Sequence, residues 1–193
     1  MNKLILASGS PRRKEILSLL NIPFEIHSAD IDETIDNKKT IKEEIQRLSY
    51  EKAAAVFSSY PEDIVIGSDT VVILDDQILG KPQTHDQAYQ MLKSLSGRSH
   101  EVLTAITILS KEKQETFSSV SKVYFCKMTE KELHFYADSE EPMDKAGAYA
   151  IQGIGGRFIE KIEGDYNTIV GLPLHLLYKH LKNYSAFQQN ILQ

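Results

Sequence analysis

The stretch Asp63-Ile64-Val65-Ile66-Gly67-Ser68-Asp69-Thr70-Val71-Val72-Ile73-Leu74 decides the fold. Its near-continuous apolar character implies a strand covered on both faces, as in the centre of an α/β sheet. Asp69 interrupts that run. A carboxylate in an apolar strand needs a partner, which makes Asp69 the first acid to examine. Two readings of it stand: a residue at the strand's exit satisfied by backbone N–H groups, or a general base or metal ligand on a rigid strand.

Toward the N-terminus, Leu4-Ile5-Leu6-Ala7 reads as a short strand and Ser8-Gly9-Ser10-Pro11 as a tight turn. Ser10 suits a helix N-cap and Pro11 the first helical position, so Arg12 and Arg13 fall in the first turn. Cations there face the positive end of the helix dipole, at a cost of roughly a few tenths of a kcal/mol or more each. Free backbone N–H groups and two guanidinium forks bind phosphate well. The turn therefore reads as a polyphosphate cradle, against the alternative of two arginines pointing into solvent. Ile16, Leu17, Leu19 and Leu20 carry the helix at helical spacing to Asn21-Ile22-Pro23, and Phe24 to Ala29 reads as a strand. An acidic loop with Asp30, Asp32, Glu33 and Asp36 precedes a long helix from about Ile41 to Ser58. That helix turns Ile45, Leu48, Ala53 and Val56 inward. Lys52 lies among its small residues, where a lysine is usually solvated.

Toward the C-terminus, Asp75-Asp76 turns the central strand. Leu79-Gly80-Lys81-Pro82 forms a loop in which Lys81 is either a surface lysine or a cation aimed at a ligand. A helix from about Thr84 to Leu95 closes at Ser96-Gly97-Arg98 in C-cap fashion. Glu101 to Leu109 and Thr116 to Met128 flank the polar Lys111-Glu112-Lys113-Gln114 as a hairpin. Thr129 and Glu132 have capping-box spacing, predicting a short helix to Ala137. Glu141 to Gly156 is rich in Gly and Ala, including Gly147, Gly153, Gly155 and Gly156, a pattern often found where backbone approaches a ligand closely. A strand over Arg157 to Glu163, a turn at Gly164-Asp165-Tyr166-Asn167 and an amphipathic helix from Leu172-Pro173 to about Tyr184 complete the chain. This order predicts an α/β fold with a mixed sheet rather than a strictly alternating parallel one.

The chain's 193 residues suffice for one folding unit with a core that needs no staples. Its net charge of -5 argues against sequence-independent nucleic-acid binding, so any anion site must be local. A single cysteine, Cys126, makes the fold independent of oxidation, and the expected location is the cytosol. No stretch reads as a signal peptide or membrane span. The six histidines lack ligand spacing, apart from His175 and His180 on the last helix, which read as surface residues. There is no Walker phosphate loop, dinucleotide fingerprint, Gly-x-Ser-x-Gly elbow or metalloprotease His pair.

Several segments together resemble the Maf family of nucleoside triphosphate pyrophosphatases, in its dTTP/UTP branch. They are Leu6-Ala7-Ser8-Gly9-Ser10-Pro11-Arg12-Arg13, Gly67-Ser68-Asp69-Thr70-Val71-Val72, Leu79-Gly80-Lys81-Pro82, Ser96-Gly97-Arg98-Ser99-His100 and the run from Asp144 to Pro173. The resemblance covers nearly the whole chain, 1–193, as one domain. It implies an elongated mixed sheet flanked by helices, of the inosine triphosphate pyrophosphatase-like kind, with two lobes around a cleft. It also implies a divalent metal cation (Mg²⁺, Mn²⁺ or Co²⁺) and, in many members, a homodimer. By the same resemblance Asp69 is the catalytic acceptor, Ser8, Arg13, Lys52 and Lys81 hold the phosphates, and Arg12, Thr70 and Gln152 choose the base. Asp69, helped by Glu33, would hold the metal or deprotonate the attacking water. Gly9 and Ser68 depart from the family pattern, which commonly has a larger polar residue and an alanine there.

The implied activity is hydrolysis of dTTP, UTP or modified pyrimidine triphosphates to the monophosphate and pyrophosphate, which keeps modified nucleotides out of nucleic acids. A second reading is a nucleotide-sensing regulator of cell division and septum formation. The chemistry suits the residues. A triphosphate carries about four negative charges and its cleavage adds charge to the leaving pyrophosphate, so cations must converge on it. Gln152 offers one donor and one acceptor, matching O4 and N3–H of uracil and thymine; cytosine presents the reversed pair.

Overall fold

The computed structural model describes residues 2–28, 30–36, 38–185 and 187–188. Strand β1 (Leu4–Leu6) is buried throughout and lies parallel to β2 (Phe24–Ile26) and β3 (Ile64–Leu74), with Leu4 opposite both Phe24 and Ile64. β1 stops a residue short of the expected Ala7, although the Ala7 N–H still donates to the Ile66 carbonyl at 2.8 Å. The expected strand to Ala29 is also shorter, because β2 is an edge strand, partly exposed, with little burial to extend it. Ala29 lies outside the described residues.

β3 is buried at nine of its eleven positions, as its apolar run requires. It then turns at Asp75-Asp76, both at positive φ (51° and 59°), into an unexpected antiparallel strand, β4 (Gln77–Leu79). Two central residues at φ > 0 suit a two-residue hairpin turn, and Asp tolerates that conformation. β5 (Ser99–Leu109) and β6 (Gln114–Phe125) form the expected hairpin arms, and β7 (Ile159–Glu163) runs antiparallel to β6. Among the described residues these make a seven-stranded sheet, ordered β2-β1-β3-β5-β6-β7 with β4 beside β3. The fold is mixed α/β.

The helices follow their sequence signals. Ser10 caps α1 (Pro11–Ser18) by accepting from the Arg13 N–H, and Pro11 occupies its start. α1 ends at Ser18, short of the expected stop at Asn21-Ile22-Pro23, and Leu19, one of the apolar residues at helical spacing, is 68% exposed. Thr40 and Glu43 form a capping box on α2 (Ile41–Phe57), whose Ile45, Leu48, Ala53 and Val56 are buried. α3 (His85–Leu95) starts at the Thr84 cap. Ser96-Gly97-Arg98 closes α3 as expected: Gly97 takes positive φ (69°), the Ser96 and Arg98 N–H groups donate back to the Leu92 and Leu95 carbonyls, and the Gly97 N–H donates to the Cys126 carbonyl. α4 (Glu130–Ala137) carries the expected capping box of Thr129 and Glu132. α5 (Tyr166–Val170) begins inside the expected turn, because the Asp165 carboxylate accepts from the Asn167 and Thr168 N–H groups. α6 (Leu174–Leu181) is shorter than the predicted span at both ends.

The chain forms two compact units. The first comprises Met1–Asp69, Thr104–Ser119 and Gly171–Gln193, and the second Thr70–Leu103 and Val120–Val170. Ile5, Ala7, Ala53, Val56, Val65 and Leu109 form a core cluster in the first. In the second, Val72, Leu92, Leu95, Val102, Phe125 and Tyr136 belong to one buried cluster.

Candidate active site

The first unit holds Ser8, Arg12, Arg13, Glu33, Lys52 and Asp69; the second holds Thr70, Lys81 and Gln152.

In the first unit, the loop after β1 is tightly organised. The Ser8 hydroxyl accepts from the Ser10 N–H at 3.3 Å and from Arg13 Nη1 at 3.2 Å. Arg13 Nε donates to the Gly171 carbonyl at 2.9 Å, and the Ser68 hydroxyl donates to that same oxygen at 3.0 Å. Ser68, next to Asp69, and Arg13 thus hold the same Gly171 carbonyl. Burial lowers the Arg13 pKa, opposed by the nearby Asp69 carboxylate and reinforced by Arg12. An arginine remains charged under such a shift. The result is a half-buried cation held in place by neutral oxygens, whose interaction with an arriving anion is screened less than at a fully exposed site.

Among the described residues the Asp69 carboxylate is paired with a side chain, not with backbone N–H groups. Lys52 Nζ donates to Asp69 Oδ1 at 2.5 Å and pairs with Glu33 Oε1 at 2.7 Å. Lys52 and Asp69 are both buried, so the solvated lysine that mid-helix position usually implies does not occur here. The close approach of α2 to β3 explains the reach. A Cβ on Gly67 would lie 2.7 Å from the Ala53 nitrogen, so only glycine lets the helix backbone come this near. Residues 67 and 69 share a strand face, which aims Asp69 at the same helix.

Two carboxylates converging on one ammonium are also a donor set that suits a hard divalent cation. Mg²⁺ takes one or two carboxylates and fills its other positions with water and phosphate oxygens. Asp69 and Glu33 therefore fit the implied metal as the residues that would hold it. Among the described residues no group of three or more His, Cys, Asp or Glu side chains is arranged to hold a metal.

Glu33 sits on a loop that α2 anchors at two points just after it. Arg47 Nη2 donates to the Thr34 carbonyl at 2.8 Å, and Glu44 Oε2 accepts from the Asp36 N–H at 2.9 Å. Glu44 is 1% exposed and bound by the Arg47 guanidinium at 2.8 Å. Sequence reading passed over this pair, although a glutamate four residues before Leu48 on the inner stripe was the available signal. The hydrogen bonds from Arg47, then that from the Asp36 backbone, lower the Glu44 pKa from 4.5 to about 2. Because the folded value is the lower one, the unfolded chain takes up the proton first as pH falls. The stabilisation is complete above about pH 4.5 and disappears toward about pH 2. Glu44→Gln should therefore unfold at clearly lower urea than the parent at pH 7, with the gap narrowing steadily between pH 4.5 and 2.5. A pH-independent gap would refute this origin of the stability.

In the second unit, Thr70 is half-buried and Lys81 is exposed, followed by the buried Pro82. The Gly80 carbonyl accepts from the Gly147 N–H at 3.1 Å, which ties the Lys81 turn to the Gly-rich segment. Gly147 has φ 68° and packs on Val72, whose side chain a Cβ would meet at 3.0 Å or less. Gln152 is exposed, and its side chain makes no hydrogen bond among the described residues. His175 is exposed as expected, whereas His180 is half-buried and stacks on Phe117 at 3.9 Å, a packing role.

Comparison with known proteins places these geometries in context. The model of a family described as "Maf-like protein" matches residues 3–184. A protein of Bacillus cereus strain G9842, named dTTP/UTP pyrophosphatase, is 47% identical over 95% of this chain and 96% of its own length. A protein of Geobacillus sp. strain WCH70 with the same name is 50% identical over 94% of this chain and 98% of its own. The solved structure of the Staphylococcus aureus Ham1 protein aligns with TM-score 0.47 and 12% identity, over 64% of this chain and 72% of that one.

Proposed function

Since this chain belongs to the Maf family, we propose that it hydrolyses nucleoside triphosphates between the α and β phosphates, with dTTP and UTP preferred. The observation that carries this reading is the Lys52–Asp69–Glu33 cluster beside the Ser8–Arg13 turn. It places a buried acid, a second acid and two cations within one compact unit.

Arg13 and Lys52 bind the phosphates and stabilise the charge that develops on the leaving pyrophosphate. Ser8 fixes the Arg13 guanidinium, and Lys81 adds a further cation. Asp69 accepts the proton of the attacking water or holds the metal, with Glu33 as its companion acid. A divalent cation, Mg²⁺, Mn²⁺ or Co²⁺, supplies charge neutralisation and orientation of the phosphates when bound. Arg12, Thr70 and Gln152 read the base. Removal of modified pyrimidine nucleotides, a cytosolic location and a homodimer belong to the same reading. Among the described residues no helix is long and apolar enough to cross a membrane. The sensing reading has less support, because the relatives are named for turnover.

The test is product analysis with dTTP, UTP, CTP, ATP and GTP in the presence of each metal. Turnover should yield one monophosphate and one pyrophosphate, with kcat/KM for dTTP and UTP at least about tenfold above CTP, the equivalent of one well-held hydrogen bond. A chelator should abolish it. Release of inorganic phosphate with a nucleoside diphosphate, or no turnover with any metal, would overturn the reading.

A further inference from the structure

The Gly-rich segment wraps around a protein carboxylate. Glu141 Oε1 accepts from the Tyr136 hydroxyl at 2.6 Å and from the Gly155 N–H at 3.0 Å, while Oε2 accepts from the Ile154 N–H at 2.9 Å. Tyr136, fully buried, also accepts from the Ala150 N–H at 3.0 Å. The glycines answer to the same two side chains. A Cβ on Gly153 would fall on the Glu141 carboxylate, and one on Gly155 would lie 2.9 Å from Tyr136 Cζ. Neither glycine has positive φ, so both are required for space and not for backbone freedom. Two segments of the turn are thus tied down, at residue 150 and at residues 154–155, and Gln152 lies between them with its own side chain unengaged.

We infer that Glu141 is a positioning residue for base selection: with Tyr136 it fixes the backbone that presents the Gln152 amide, and so sets how strictly uracil or thymine is preferred over cytosine. This rests on the base-reading role of Gln152 proposed above. A fixed backbone sets where the amide meets the base, and contact with Arg12 or Thr70, its companions in base reading, then stops the amide rotating to suit the reversed donor and acceptor pair. Burial pushes the Glu141 carboxyl pKa up, but the bonds from Tyr136, Gly155 and Ile154 together outweigh it and keep the group below its ordinary value. The clamp is therefore a carboxylate at neutral pH, with acceptor capacity for all three donors. In Glu141→Gln one oxygen becomes an amide nitrogen. If the remaining oxygen keeps Tyr136 and Gly155, a donor then faces the Ile154 N–H and that tie is lost.

The experiment is a double-mutant cycle on the full chain, read as the UTP-to-CTP ratio of kcat/KM. Gln152→Ala should lower the ratio about tenfold. Glu141→Gln should lower it severalfold, mainly through a raised KM for UTP, and should have no further effect on the ratio in the Gln152→Ala background. A merely structural residue would scale both substrates alike. If Gln152→Ala lowers the ratio and folded Glu141→Gln does not, this inference falls and the base-reading role survives. If Gln152→Ala leaves the ratio unchanged, both fall. Should Glu141→Gln not fold, Tyr136→Phe takes its place in the cycle with the same expectations, because it removes the hydroxyl shared by Ala150 and Glu141.

Discussion

Asp69→Asn should lower kcat by roughly a hundredfold or more while the protein stays folded and still binds nucleotide. The substitution is nearly isosteric, and the amide oxygen can still accept from Lys52, which retains Glu33 as a counterion. Lost are the negative charge and the base strength, on which both proposed roles of Asp69 depend. Pyrophosphate release from dTTP, set beside thermal unfolding of the same preparation, separates chemistry from folding. Near-normal turnover by the folded variant would remove Asp69 from the mechanism.

Gly67→Ala should be the most destabilising single-methyl change in the first unit. Its Cβ would sit 2.7 Å from the Ala53 nitrogen and 2.9 Å from the Ala53 Cβ, and would also strike the Ser49 carbonyl. Those are mostly backbone atoms of α2, which cannot rotate aside, so helix and strand must separate. Overpacking of this kind costs about 3 kcal/mol. For a chain of this size that lowers Tm by roughly 6–12 °C. The separation also pulls Lys52 away from Asp69, so the variant should lose activity even at temperatures where it is fully folded. Urea unfolding measures the first effect and kcat at 20 °C the second. A parental midpoint would mean that the close approach of α2 is not enforced here.

What was legible in the sequence follows from the range of the interactions involved. β3 announced itself because burial on both faces demands an unbroken apolar run, and α4 because a capping box lies within four residues. β4 escaped because three residues carry no periodicity and the positive φ at Asp75 and Asp76 leaves no compositional trace beyond turn character. Leu19 misled because its helical spacing continues past the end of the helix at Ser18. Within the site, Asp69 and the Arg12-Arg13 turn could be singled out locally. Pairing Lys52 with Asp69 required knowing that Gly67 admits α2, a contact between distant segments. The glycines of residues 153 to 156 suggested approach to a ligand, yet two of the three are shaped by Glu141 and Tyr136, and neither of those was singled out.

The Arg13–Gly171 hydrogen bond joins residues 158 positions apart. On a ribosome making about 5–20 residues per second, Arg13 is made roughly 8–32 s before its acceptor exists. The segment beginning at Gly171 contains no residue proposed for chemistry, yet a nascent chain halted before it would display Ser8, Arg13, Lys52 and Asp69 without the carbonyl that orients the arginine. The carbonyl that orients Arg13 is therefore among the last parts of the candidate site to be made.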